Sequence, residues 1–517
     1  MKKRRNIIIG CALVLLFGMA GAALWVRLSA PPGEEWISYR NDEVTASIDR
    51  QLEGLDMDEI ISGKESLVLE KDVKSLQQTV ASGELTYEEL TAICLYRIKA
   101  LDQSFHGYNS VMEIAPDAME QARARDDSLA GLLGGVDSLP PLYGIPVMLK
   151  DNINTADMPT SAGAAAFTDF VPDRDAVLVQ TLREQGAVIL GKNNLSEFAY
   201  YVARQMPSGY SGKKGQTVNP FGPLKISPSG SSSGSAVAVT ANLVPISIGT
   251  ETAGSIAGPA SVNSVVGFKP TRGSISGEGI FPLVRSVDTP GPIAKTVQDA
   301  AWAYAALSGD TLPGKLDASA LEGRIVGLAA YDYNDAAMIQ NIRSALEAAG
   351  ARVTDISIDQ TGVQVQNIIE LTFKRDFEEY TRQYGFPITS LDELVRFNTE
   401  DTRRRAKYGQ DHLEAAAAVN TPDDSPVQAS ILNAQKQLDA LFSVQGLDAI
   451  VFLNTTVSTV VAAAGYPELT VPAGLDGKGV PQGATFAAGY GEDWKLLAFG
   501  YAFEQAAQGR RVPNEQS

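Results

Sequence analysis

Between Ala176 and Gly474 the chain repeats one pattern: apolar residues three and four apart, then a glycine, then a short unbroken apolar run. AVLVQTLREQGAVILGK (Ala176 to Lys192) reads this way as a helix, a glycine stop and a strand. Helical or strand runs of the same kind recur at Ala294 to Leu307, Arg324 to Ala330, Met338 to Ala349, Leu447 to Phe452 and Glu468 to Gly474. Alternating helices and strands predict an α/β fold, a largely parallel or mixed sheet covered by helices. No Pro/Gly/Ser linker divides Ser66 to Gln516. Ile368 to Asp423 departs from the pattern: it is charged, helical and poor in strand signals. It is the candidate for a cap inserted over a cleft.

Upstream the pattern changes twice. MKKRR precedes Ile7 to Val26, an uncharged run long enough to cross a bilayer as a helix. The basic residues before it predict an inside N-terminus, so the expectation is a single-pass cell-membrane protein with the rest of the chain outside the cytoplasm. A cleaved signal segment, giving a secreted protein, is the alternative. The resulting division is 1–30 as anchor or signal, 31–65 as an acidic tether and 66–517 as one large domain. Within that domain TYEE (Thr86 to Glu89) is a capping box that opens a helix ending near Leu101, and Pro116 to Ala130 reads as another helix.

Charge and composition remove several functions. A formal charge of −18 repels phosphates and argues against nucleic acid as a partner. The two cysteines, Cys11 and Cys94, cannot build a disulfide framework, and a zinc site of the Cys/His type is not available. No cofactor is implied. The two histidines, His106 and His412, sit in polar settings where a solvated side chain is the default, so a serine nucleophile here needs another base than imidazole.

Candidate chemistry concentrates in Ser227 to Pro259, SPSGSSSGSAVAVTANLVPISIGTETAGSIAGP. A Ser/Gly loop (Ser229 to Ser235) leads into a small apolar segment (Ala236 to Leu243), a buried strand (Val244 to Ile248) and a second Gly/Ser turn (Gly249 to Ser255). Two serine-bearing turns so bracketed can present hydroxyls and backbone N–H groups to one cleft. A flexible linker is a poor reading because the residues after the loop are too apolar for solvent. A phosphate loop lacks its motif. A nucleophile elbow at GSSSG (Gly230 to Gly234) lacks the preceding strand, since Pro223 and Pro228 interrupt. For the base, Lys150 stands at the end of the apolar run Ile145 to Leu149, which reads as a core strand delivering a lysine to a sheet end.

Five ordered motifs resemble those of the amidase signature family of serine hydrolases, with similarity from about Ser66 to the C-terminus. They are GIPVMLKDN (Gly144 to Asn152), GKNNLSEFA (Gly191 to Ala199), the Ser229 to Ser255 unit, GFKPTRG (Gly267 to Gly273) and DTPGPIAKTVQDAA (Asp288 to Ala301). The resemblance implies a single large α/β domain and a Ser/cis-Ser/Lys triad. By position the nucleophile is Ser255, the bridging cis-serine Ser231 and the base Lys150. Backbone N–H groups of Thr252, Ala253, Gly254 and Ser255 carry over as the oxyanion hole. Many members have Gly where Ala253 stands, Arg where Ala257 stands and Asp in place of Glu251, so an expected ion pair behind the turn is missing. The motifs most resemble the peptide amidase branch, which implies hydrolysis of a primary amide such as a C-terminal peptide carboxamide. The alternatives are fatty acid amide hydrolysis and the role of an ammonia-supplying amidotransferase subunit.

Overall fold

The computed structural model describes residues 33–129, 139–311 and 314–514. In chain order its strands are β1 Val111–Ile114, β2 Pro146–Lys150, β3 Val188–Asn193, β4 Tyr210–Ser211, β5 Gly215–Gln216, β6 Ile246–Glu251, β7 Val266–Lys269, β8 Thr289–Ala294, β9 Ile325–Ala329, β10 Arg352–Ile356, β11 Ala449–Leu453, β12 Glu468–Leu475 and β13 Pro481–Ala487. Eleven form one sheet in the order β1-β3-β2-β6-β8-β7-β12-β13-β11-β9-β10, while β4 and β5 make a separate ribbon. The pairs β3/β2, β2/β6, β11/β9 and β9/β10 are parallel and the others antiparallel. The sheet is therefore mixed and covered by helices, as the α/β reading expects.

Every residue of β2 is buried, because a strand between two parallel neighbours is covered on both faces and reads as an unbroken apolar run. The strand after the Ser/Gly loop differs from its expected bounds. It begins at Ile246, after Pro245, which has no N–H to give a ladder, and it continues through Glu251. Gly249, Thr250 and Glu251, expected in a turn, are thus strand residues. The segment before it is the Ser233–Thr240 helix, buried throughout.

Strand β8 was legible only as a motif, since Pro290 and Pro292 argue against a central strand. Here β6 pairs along all of it, from Thr289 to Ala294, but β7 reaches only Ile293 and Ala294. Its proline half has a strand on one side alone, which is where proline is tolerated.

The Thr86 capping box forms with both reciprocal bonds at 3.0 Å and opens the Tyr87–Arg97 helix. Residues 41–64, expected within an acidic tether, contain the Asn41–Leu52 and Met57–Lys64 helices, with Val44 and Ile48 buried. The charged region expected as a cap forms the Val365–Gln383, Leu391–Thr399 and Asp411–Ala417 helices. These share an aromatic core with Phe167, Phe198 and Phe281; Phe281 and Phe377, for example, have ring centroids 5.7 Å apart.

The membrane expectation is corrected. Ile7 to Val26 lies outside the described residues, and among the described residues no helix is long and apolar enough to cross a membrane. The helices seen are short or amphipathic, with buried faces committed to the sheet and the aromatic core. A single-pass membrane placement, attachment through the N-terminal segment and an extracytoplasmic catalytic region are accordingly not retained.

Candidate active site

Lys150 ends β2 at the centre of a parallel trio and is fully buried. Its Nζ stands 2.7 Å from Ser231 Oγ, 2.9 Å from Thr250 Oγ1 and 3.1 Å from the Thr250 carbonyl oxygen. Burial pushes the amine down from 10.5 to about 7, against the opposing pull of Asp288 and Glu251. Asn152 Nδ2 donates to Thr250 Oγ1 at 3.0 Å, fixing that hydroxyl beside the lysine.

The two serine turns are stitched together. The Gly230–Ser231 peptide is cis, and Ser231 is fully buried. Ser232 N–H donates to the Ser255 carbonyl at 3.1 Å, and Ser232 Oγ donates to the Thr250 carbonyl at 3.1 Å. Gly249 has room for no side chain, since a Cβ there would stand 2.9 Å from Ser232 Oγ. Ser255 keeps 9 % exposure, in contrast to Ser231. Among the described residues no hydrogen bond joins the Ser231 and Ser255 hydroxyls.

The strand end of β6 turns through Thr252, Ala253 and Gly254 into the Ala257–Val262 helix. Gly254 has φ 84°, a left-handed conformation that suits glycine, and a Cβ would meet Thr455 Cγ2 at 3.1 Å. Two carboxyls hold this turn from behind. Glu251 accepts from Ile256 N–H at 2.6 Å and Ala257 N–H at 3.0 Å. Asp288 accepts from the Thr252 hydroxyl and from Leu283 N–H at 2.7 Å and Val284 N–H at 3.0 Å, while burial raises its pKa to about 7. Where Ala257 leaves no arginine for Glu251, backbone donors at a helix start take that role.

Two cavities adjoin these groups. One of 690 Å³ opens on Ala253 and is bounded by Gln364, Gln366, Asn367, Glu370 and Thr459. The other, of 440 Å³, reaches Thr250 and Asp288 and ends on Arg285, Tyr380 and Tyr384. Both therefore take walls from the Val365–Gln383 helix, the first element of the expected cap. The histidines lie elsewhere: His106 stacks on Phe105 and Trp36, and His412 on Tyr201, with ring centroids 3.9, 4.6 and 4.9 Å apart.

Lys150 and Ser231 are thus in direct contact, and Ser255 is tied to Ser231's neighbour through the backbone. Sequence reasoning missed Thr250 and Asp288, and took Glu251 only as a departure. The DTPGP motif was the available signal for Asp288.

The family model described as Amidase matches residues 89–421. A probable amidase of Arabidopsis thaliana is 34% identical over 480 residues, covering 86% of this chain and 92% of its own. The crystal structure of an amidase family protein from Bacillus anthracis is similar at TM-score 0.89 with 41% identity, over 94% of this chain and 100% of that one. The structure of native peptide amidase from Stenotrophomonas maltophilia is similar at TM-score 0.80 with 37% identity, over 87% of this chain and 99% of that one. The chain belongs to the amidase signature family, hydrolases of carbon–nitrogen amide bonds.

Proposed function

We propose that the protein releases ammonia from a primary amide, such as a C-terminal peptide carboxamide, with Lys150 as base, Ser231 as bridge and Ser255 as nucleophile. The observation that carries this reading is the 2.7 Å contact between a fully buried Lys150 amine and Ser231 Oγ. A neutral amine has two N–H groups and one lone pair. The Thr250 carbonyl can only accept, and Thr250 Oγ1 takes the second N–H, which leaves the lone pair for the Ser231 hydroxyl.

Lys150 then takes the Ser231 proton while Ser231 takes the proton of Ser255, and Ser255 Oγ adds to the carbonyl carbon. The C=O electron pair moves onto oxygen, where N–H groups of Thr252, Ala253, Gly254 and Ser255 are the donors assigned to it. A donor of this kind contributes about 3 to 4 kcal/mol to transition-state stabilisation. On collapse the C–N bond breaks, and the proton held by Lys150 returns through Ser231 to the leaving nitrogen. Water cleaves the acyl-enzyme by the same relay. The polar cavity at Ala253 favours a peptide-like acyl group over a fatty one.

The test is ammonia release from N-acetylated amino-acid amides, with a serine-directed phosphonate as label. Ser255→Ala abolishes both labelling and turnover while the fold survives. Labelling at Ser231 or Ser232 in the unaltered protein overturns the assignment.

A further inference from the structure

The 690 Å³ cavity shares Ala253 with the proposed oxyanion turn, so an acyl group on Ser255 that extends past Ala253 meets its walls. Apart from Ala253, Val363 and Val365, every lining side chain is polar, and one carries a charge: Glu370, half-buried on the Val365–Gln383 helix.

The cations near Glu370 are committed elsewhere. Arg204 pairs with Asp411 at 3.2 Å. Lys374, one helical turn along, donates to Asp392 at 3.0 Å and to the Ala417 carbonyl at 2.8 Å. Burial shifts the imidazole of His412, whose Nδ1 is 3.4 Å from the Gln366 amide, below its ordinary pKa. Among the described residues no ion pair involves Glu370. Its charge therefore faces an open, polar cavity without an ion-pair partner, where it is placed to attract a cationic group and repel an anionic one.

We propose that Glu370 sets a substrate preference, selecting carboxamides whose acyl portion carries a cationic side chain and rejecting those with an anionic one. This rests on the carboxamide reading above. It makes Glu370 a specificity-determining residue, without a part in bond breaking.

The experiment compares kcat/KM for the N-acetyl amides of lysine, norleucine and glutamate, in which chain length is nearly constant and charge changes. At low ionic strength lysine exceeds norleucine by about fivefold and norleucine exceeds glutamate by a similar factor, the span expected of a partly solvated charge pair. The lysine-to-glutamate ratio shrinks as salt is added. It falls toward one in Glu370→Gln and inverts in Glu370→Lys. Equal turnover of the lysine and glutamate substrates, or a ratio untouched in Glu370→Gln, overturns the inference and leaves the amidase reading intact. If none of the three amides releases ammonia, the carboxamide reading is what fails. Calorimetry of the lysine and glutamate amides on Ser255→Ala then scores the charge preference separately, and equal affinities sink it.

Discussion

Lys150 shows how one residue's position becomes a pH dependence. Its ordinary pKa of 10.5 is lowered to about 7 by burial, so the proton that would block the proposed role of base is held below that value and lost above it. Turnover should rise through pH 7 and level off on the alkaline side. Lys150→Arg keeps a positive charge but does not deprotonate in this range, and should be as inactive as Lys150→Ala, at least a hundredfold below the unaltered enzyme. Steady-state ammonia release across pH 5.5 to 9 checks both; substantial activity in Lys150→Arg would show that the residue acts as a fixed charge. Lys150 was readable in the sequence because an apolar run marks a buried strand and its end is locally defined. Ser231 and Ser255 were named only through the motif resemblance, and the structure brings Ser231 against Lys150. Thr250 and Asp288 were not, because the strand pairing of Thr250 with Pro290 and Glu251 with Thr289 brings them together, and no local pattern encodes that register.

At the scale of elements, the site hangs on one unit: β6, a five-residue turn from Thr252 to Ile256 and the Ala257–Val262 helix. Glu251 ties its two ends together by accepting from Ile256 and Ala257 N–H, so the turn between them is held as a closed loop. Glu251→Ala leaves two buried donors unpaired, a loss of about 2 kcal/mol or more, and frees the turn that orients Ser255. We expect a lowered thermal midpoint and a kcat reduced at least tenfold with KM little changed. Glu251→Gln, which keeps an accepting oxygen, should recover most of the kcat. Equal damage from both variants would mean that the negative charge, and not the hydrogen bonds, supports the turn. The expected turn began three residues too early because glycine at 249 reads as a breaker. In this fold that glycine exists for close approach of Ser232, and the strand runs on. Strand β8 was left unread for the opposite reason, two prolines that only the one-sided pairing of its first half makes acceptable.

For the whole molecule, the pH that favours the chemistry disfavours the fold. Burial raises Asp288, Asp299 and Glu504 to about 7 and Glu197 to about 8. Their folded forms hold protons that the unfolded chain releases near pH 4, so the stability tied to those protons is present in acid and is lost as pH rises through 7 to 8. Self-repulsion from a formal charge of −18 grows in the same direction. The buried Lys192, Lys214 and Lys295, lowered to about 8, act in a later window. They are neutral in the fold while the unfolded chain stays protonated to about 10.5, and the resulting penalty recedes only as pH rises through that interval. Stability should thus pass through a minimum near or just above neutrality. The thermal midpoint at pH 5.5 should exceed that at pH 7.5 by several degrees at constant ionic strength, while turnover runs the other way. Added salt should raise the midpoint more at pH 7.5 than at pH 5.5, because it screens the repulsion that the higher pH creates. Circular-dichroism melts at the two pH values, with and without salt, decide the matter. A midpoint that climbs from pH 5.5 to 7.5 would show that the buried carboxyls are ionised in the fold, with Asp299 paired to a charged Lys295 instead of holding its own proton.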